Sequence, residues 1–172
     1  ESVVFEGYPS LMYGYTFEGC GKLTSVEFNG AWAKLEDGMF AECAILTDIT
    51  IPDTVAVISE KAFYKTNIQT INLPVGVRVV EPRAFEACES LMTFTVDAAN
   101  EVFTVVDGVL WTKDETTVVI YPAAKTGEVT FEEGVRFAEY AFVNSKLSRV
   151  TLPTDLTSIA EGLFYESAVD VT

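Results

Sequence analysis

Two series of apolar residues run through the chain in phase. Phe5, Phe28 and Ile51 lie 23 residues apart, Leu73 follows after 22 and Val96 after 23. A second series, Phe17, Phe40, Phe63 and Phe85, keeps spacings of 23, 23 and 22, always twelve residues behind the first. Later pairs are Phe131 with Phe142, offset by 11, and Leu152 with Phe164, offset by 12. Two phases held over six units mark an internal repeat, and a period in this range predicts stacked coils.

Within one unit, Leu46, Ile49 and Ile51 precede Pro52, and Val55, Ile58, Ala62 and Phe63 follow. A second copy reads Leu147, Val150, Leu152, Pro153, Leu156, Ile159 and Phe164. The alternation of Ile49 and Ile51 around Thr50 predicts a short strand with one buried face. Pro52, Pro74 and Pro153 stand just after that strand, where a residue without an N–H ends a ladder at little cost. The pairs Ala62-Phe63, Ala84-Phe85 and Ala141-Phe142 predict a brief helical turn that returns the chain on the outer side. The expected architecture is a β-rich α/β solenoid, one domain over 1–172, of about seven units of 22–23 residues. The inward side chains of one unit do not offset the entropy of ordering its backbone, so stability has to come from stacking.

One unit breaks the rule. From Val96 to Phe131 the strand-to-strand interval is 35 residues, or 23 plus 12, and the Ala-Phe pair is missing. Within this variant repeat, at about 91–127, Val109–Trp111 and Val118–Tyr121 flank a polar link at Lys113–Thr117, which predicts a β-hairpin. Asp107-Gly108 is a turn signal just upstream. The hairpin either extends the wall and covers core left open by the missing turn, or protrudes as a contact loop with Trp111 and Tyr121 as anchors.

The segments around Leu46–Thr66 and Leu147–Ser167 resemble the BspA-like class of leucine-rich repeats: Leu-x-x-Ile-x-Ile-Pro, then Val-x-x-Ile, then Ala-Phe-x-x-Cys. The match runs over nearly the whole chain and is weakest in the first unit, where Tyr8-Pro9-Ser10 falls outside the pattern. The DGVL…YP stretch looks like a recurrent insert of that family. The resemblance implies a right-handed superhelix and a bacterial surface or secreted molecule, in some members an adhesin.

Composition narrows the function. Eleven basic residues against 26 acidic give a net charge of −15, which repels phosphate backbones and excludes nucleic acid as an expected partner. Hydrophobic residues make up 49%, yet no apolar run reaches about 18 residues, so no membrane insertion is expected. The chain contains no histidine, which removes Ser-His-Asp and Cys-His nucleophilic systems and His-bearing zinc sites. No Gly-rich phosphate loop is present. The carboxylates scatter without a recognisable catalytic pair, and Asp114-Glu115 and Glu132-Glu133 lack the spacing of a calcium loop. No enzyme activity, cofactor or metal is expected. The chain opens without Met or a signal-like segment and stops at the start of a further unit, so it reads as part of a longer array.

Cys20, Cys43 and Cys88 each stand three residues after the phenylalanine of their unit, where other units carry Thr66, Ser145 and Ser167. A small, weakly polar residue packed beside the turn is expected there. Free, buried thiols are favoured over a Cys20–Cys43 bridge, because parallel stacked side chains seldom reach a disulfide dihedral.

The outward positions of the repeated strand are Glu27, Thr50, Asn72, Thr95, Thr130 and Thr151. Two residues earlier come Ser25, Asp48, Thr70, Thr93 and Arg149. Stacked at strand spacing they form a polar strip roughly 25–30 Å long, the candidate surface for a protein or glycan on a host or neighbouring cell. The expected function is a non-catalytic interaction or adhesion module at the cell surface or outside the cell. Alternatives are a passive spacer for another domain, or carbohydrate recognition by exposed Trp32, Trp111 and Tyr121.

Overall fold

A computed structural model describes residues 1–7 and 12–172. The irregular Tyr8-Pro9-Ser10 stretch lies outside the described residues. The chain winds as a β-solenoid of about eight turns, against the seven or so units counted from the sequence. Its strands are short. They are β1 (Ser2–Phe5), β2 (Ser25–Phe28), β3 (Lys34–Leu35), β4 (Val57–Ile58), β5 (Thr70–Leu73), β6 (Val79–Val80) and β7 (Thr93–Val96). After these come β8 (Phe103–Val106), β9 (Val109–Thr112), β10 (Thr117–Ile120), β11 (Thr126–Thr130), β12 (Arg136–Phe137), β13 (Lys146–Thr151) and β14 (Asp170–Val171).

Pairing follows the repeat. The Ile-x-Ile positions build one wall of parallel ladders, β1–β2, β5–β7 and β11–β13–β14. In them Ser2 faces Ser25, Thr70 faces Thr93 and Thr130 faces Thr151. The Val-x-x-Ile positions build a second parallel wall, β3–β4–β6, with Leu35, Ile58 and Val80 in register. Because side chains alternate along a strand, a slip of one residue would turn the apolar set outward, so the 22–23-residue period and the register are one constraint.

The Ala-Phe segments are not helical, and no helix occurs among the described residues. The α/β expectation is corrected to an all-β solenoid, and the reason lies in where the amide donors go. Met39, Ala41 and Cys43 donate to carbonyls three residues back, Glu36, Gly38 and Phe40. The intervening Gly38, Phe40 and Glu42 donate instead to Glu60, Ala62 and Tyr64 of the next coil. Phe63 and Lys65 repeat this with Ala84 and Glu86, and Phe142 and Asn144 with Leu163 and Tyr165. An α-helix needs each N–H for a carbonyl four residues back, so this sharing with the next coil excludes it. The geometry requires left-handed residues four apart in each turn, such as Lys61 and Lys65, Arg83 and Ala87, or Tyr140 and Asn144, with φ between 55° and 65°. Ala-Phe supplies the apolar positions of either structure, which is why the pattern reads as helix.

The interior is an aromatic column. Phe17, Phe40, Phe63 and Phe85 stack in sequence with ring centroids 5.9, 5.8 and 5.2 Å apart. On the far side of the irregular unit the column resumes with Tyr121, Phe142 and Phe164, each step 5.2 Å. The buried side chains fall into two clusters, one reaching from Leu23 to Leu110 and the other from Val109 to Leu163, which meet at that unit. Phe63, fully buried between two coils, is the most direct probe of stacking. Phe63→Ala is expected to lower stability by about 3–5 kcal/mol in urea unfolding. A loss below about 1 kcal/mol would show that the column carries little of the fold.

Candidate functional site

The strip residues reach the surface as expected: Glu27, Asp48, Thr50, Thr70, Asn72, Thr95, Thr130 and Arg149 are exposed, and Thr93 and Thr151 half-buried. Asn72 and Thr95 sit side by side, with the Thr95 hydroxyl donating to Asn72 Oδ1 at 3.0 Å. Thr151 pairs with Thr130, and Arg149 reaches Asp170 at 3.3 Å and Glu128 at 3.7 Å. Asp48 and Thr50 belong to a stretch without ladder pairing.

The strip is not continuous. Beside β7, where the next strand would add, lies Gly108: Phe94 N–H donates to its carbonyl at 2.9 Å. A Cβ on Gly108 would come within 2.7 Å of Thr93 Oγ1, and φ there is +78°, so the position calls for glycine on both counts. The face therefore divides into a segment from Glu27 to Thr95 and another from Thr130 to Thr151.

The irregular unit is a three-stranded meander rather than a single hairpin. β8 and β9 pair antiparallel across Asp107-Gly108, both with positive φ as in a type I′ turn, and β9 pairs onward with β10. Asp114 closes the second turn, accepting from Thr112 Oγ1 at 2.7 Å and Thr116 Oγ1 at 2.9 Å. These donors hold its carboxyl below the usual range, beginning with the Thr112 hydroxyl. β10 rejoins the second wall by parallel pairing with β12. Phe103, Val109, Leu110 and Val118 are buried under the meander.

The aromatic anchors lie elsewhere than expected. Tyr121 is 7% exposed and occupies the phenylalanine position of its coil, its N–H donating to Ala141 O as Phe63 N–H does to Ala84 O. Its place 21 residues before Phe142 was the available signal. Trp32 is 0% exposed, with ring centroids 4.5 Å from Phe5 and 4.9 Å from Phe28. Four residues after Phe28, as Val55 is after Ile51 and Val77 after Leu73, it fills the valine position of the unit. Trp111 is half-buried, packs toward Phe131 at 6.1 Å, and its indole N–H has no acceptor among the described residues. Trp32 and Tyr121 are interior groups and offer no stacking platform to a sugar ring.

Sequence reasoning missed Asn100, which is 1% exposed. Its amide donates to Pro74 O and Val77 O at 2.9 and 3.0 Å, and its Oδ1 accepts from Val102 and Phe103 N–H, both at 2.9 Å. All four hydrogen-bonding positions of the side chain are satisfied, and they fasten the start of the meander to the preceding coil. Asn100→Ala, which strands these buried backbone groups, is expected to cost about 2–4 kcal/mol. Chemical unfolding within about 0.5 kcal/mol of the parent would contradict this.

The position three residues after the phenylalanine has a defined role. The Cys43 thiol donates to Phe17 O at 3.1 Å, the Cys88 thiol to Phe63 O at 2.9 Å, and Ser167 Oγ to Phe142 O at 2.5 Å. In these three coils a small donor holds the phenylalanine carbonyl of the preceding coil, a bond that Cys and Ser both make, whereas the Thr66 hydroxyl donates to Phe63 O of its own coil at 3.0 Å. All three cysteines are free; Cys43 and Cys88 are buried as expected, but Cys20 is exposed. Burial pushes the Cys43 and Cys88 thiols up to about 11. At pH 8 a disulfide reagent is expected to label one thiol in the folded protein and three in denaturant. Rapid labelling of all three without denaturant would contradict the packing.

A family model described as BspA type leucine-rich repeat region matches residues 10–107 and 121–170 in six copies, leaving out most of the meander. Among solved structures, a leucine-rich cell surface protein from Faecalibacterium prausnitzii aligns with TM-score 0.72 and 26% identity, covering 92% of this chain and 50% of that one. The pneumococcal vaccine antigen PcpA aligns with TM-score 0.76 and 26% identity, covering 87% of this chain and 39% of that one. A leucine-rich repeat protein from Eubacterium ventriosum shares the fold, at TM-score 0.54 and 16% identity over 99% of this chain and 66% of that one. The chain spans half or less of the first two proteins. No protein of curated function matches it.

Proposed function

Because the chain belongs to the BspA type leucine-rich repeat family, we propose that it is a non-catalytic recognition module of a bacterial cell-surface protein, holding a protein ligand on its exposed strand face. The observation that carries this reading is the register of that face. Thr70 with Thr93, and Asn72 with Thr95, are fixed side by side by the ladder, while the alternate residues Ile71, Leu73 and Phe94 are committed to the core. A rigid row of short polar side chains offers many weak hydrogen bonds rather than one deep anchor, so binding draws on several coils at once. A surface location is supported by the cell-surface description of the F. prausnitzii protein. A sugar-stacking surface is disfavoured by the interior positions of Trp32 and Tyr121.

Replacing Thr50, Asn72 and Thr95 together by lysine is expected to reduce binding to host matrix or cell surfaces at least tenfold. A control with lysines at the exposed Thr16, Thr157 and Ser158 should bind as the parent does. Equal binding by both substituted proteins would remove the strip from consideration.

A further inference from the structure

Where the strand face is interrupted, between the tip of the meander and β11, lies a groove of about 280 Å³. Val106, Val109, Trp111 and Thr130 line it, together with Asp107, Glu132 and Lys125. Beside it β11 presents an open edge: among the described residues β11 pairs with β13 alone. Phe131 N–H donates to Thr151 O on the β13 side. The N–H and C=O of one strand residue point the same way and successive residues alternate, so Glu128 and Thr130 direct theirs away from β13, toward the interruption.

We propose that this groove takes an extended, lysine-bearing peptide segment, which adds as a strand along the free edge of β11 and seats an aliphatic side chain against Val106, Val109 and Trp111. The proposal rests on the chain being a recognition module and names one site and partner class for it. Three features favour this occupant. An edge with donors and acceptors unused is completed by another strand, which supplies affinity through the main chain and specificity through alternate side chains. Val106 is a large apolar residue left 37% exposed at the groove, where an aliphatic side chain would cover it. Two carboxylates line the groove against one ammonium, and Lys125 Nζ is already held by Asp107 O at 2.8 Å. With a net charge of −15 on the whole chain, the local field favours a cationic partner.

The test is fluorescence anisotropy at physiological salt with an end-blocked, labelled nonapeptide of alternating lysine and valine. One control peptide has the same charge with its central valine replaced by proline; another carries glutamate in place of lysine. The alternating lysine peptide is expected to bind, and both controls at least tenfold more weakly. Thr130→Pro removes an edge donor that β13 does not use, and Val106→Lys alters an exposed side chain. Each should weaken binding at least tenfold while the thermal transition stays in place. No binding, equal binding of the proline-containing peptide, or binding unaffected by both substitutions would overturn the proposal. The strip variant at Thr50, Asn72 and Thr95 should bind the peptide like the parent. If the parent protein binds matrix or cells but does not bind the alternating lysine peptide, this site fails and the recognition reading stands.

Discussion

The backbone amides of the turns have two destinations, and the architecture depends on that division. Gly38, Phe40 and Glu42 send theirs into the next coil, while Met39, Ala41 and Cys43 close the turn locally. A coil therefore completes its own hydrogen bonding only against a neighbour, and buried backbone groups left unmade are costly. The aromatic column obeys the same arithmetic, since a ring every 22–23 residues meets its neighbour only when each coil closes on one repeat. Even the residue three places after the phenylalanine, Cys43 or Cys88, serves the coil before its own.

Such a constraint makes an insertion difficult, and the meander shows how one is accommodated. Asn100 fastens its first residues to the carbonyls of Pro74 and Val77, and Tyr121 restores the ring that the missing Ala-Phe turn would have supplied. On the outer side the flanking turns meet directly. Ala87 N–H donates to Asn144 Oδ1 at 2.8 Å, Lys146 reaches Glu89, and the Arg83 guanidinium lies over Tyr140. Arg83 is itself held by a two-point pair with Glu86 at 2.9 and 3.0 Å. On the strand face the flanking coils meet at its start, where Ala124 N–H donates to Leu91 O at 2.9 Å; further along, the tip Asp107-Gly108 occupies the place of a strand and leaves the edge of β11 uncovered. The interruption thus costs the recognition face its continuity and gives it a different kind of surface.

Much of this was legible in the sequence. Period, register, the stacked phenylalanines and the outward strip follow from spacing alone, because a repeated coil converts sequence distance into spatial adjacency. The features that were not legible depend on partners that spacing does not name. Ala62-Phe63 reads as helix because the pattern records which side chains are buried, not that the amide of Phe63 belongs to Ala84. Tyr121 and Trp32 read as exposed because each departs in residue type from the position it fills. Asn100 reads as an ordinary loop residue, since its two bonds to Val102 and Phe103 are those of any turn asparagine and the two to Pro74 and Val77, 26 and 23 residues away, leave no local mark.

Native-state hydrogen exchange tests the central claim most directly, because it reads separately the amides of Phe40, Glu42, Phe63 and Lys65, which bond to the next coil. If the coils exist only through stacking, these four exchange together, with an opening free energy close to that of unfolding the whole cluster around them. Exchange at the rate of exposed turn amides, in a protein whose global stability is intact, would mean that the turns hold themselves and that coil-to-coil hydrogen bonding is not what maintains the fold.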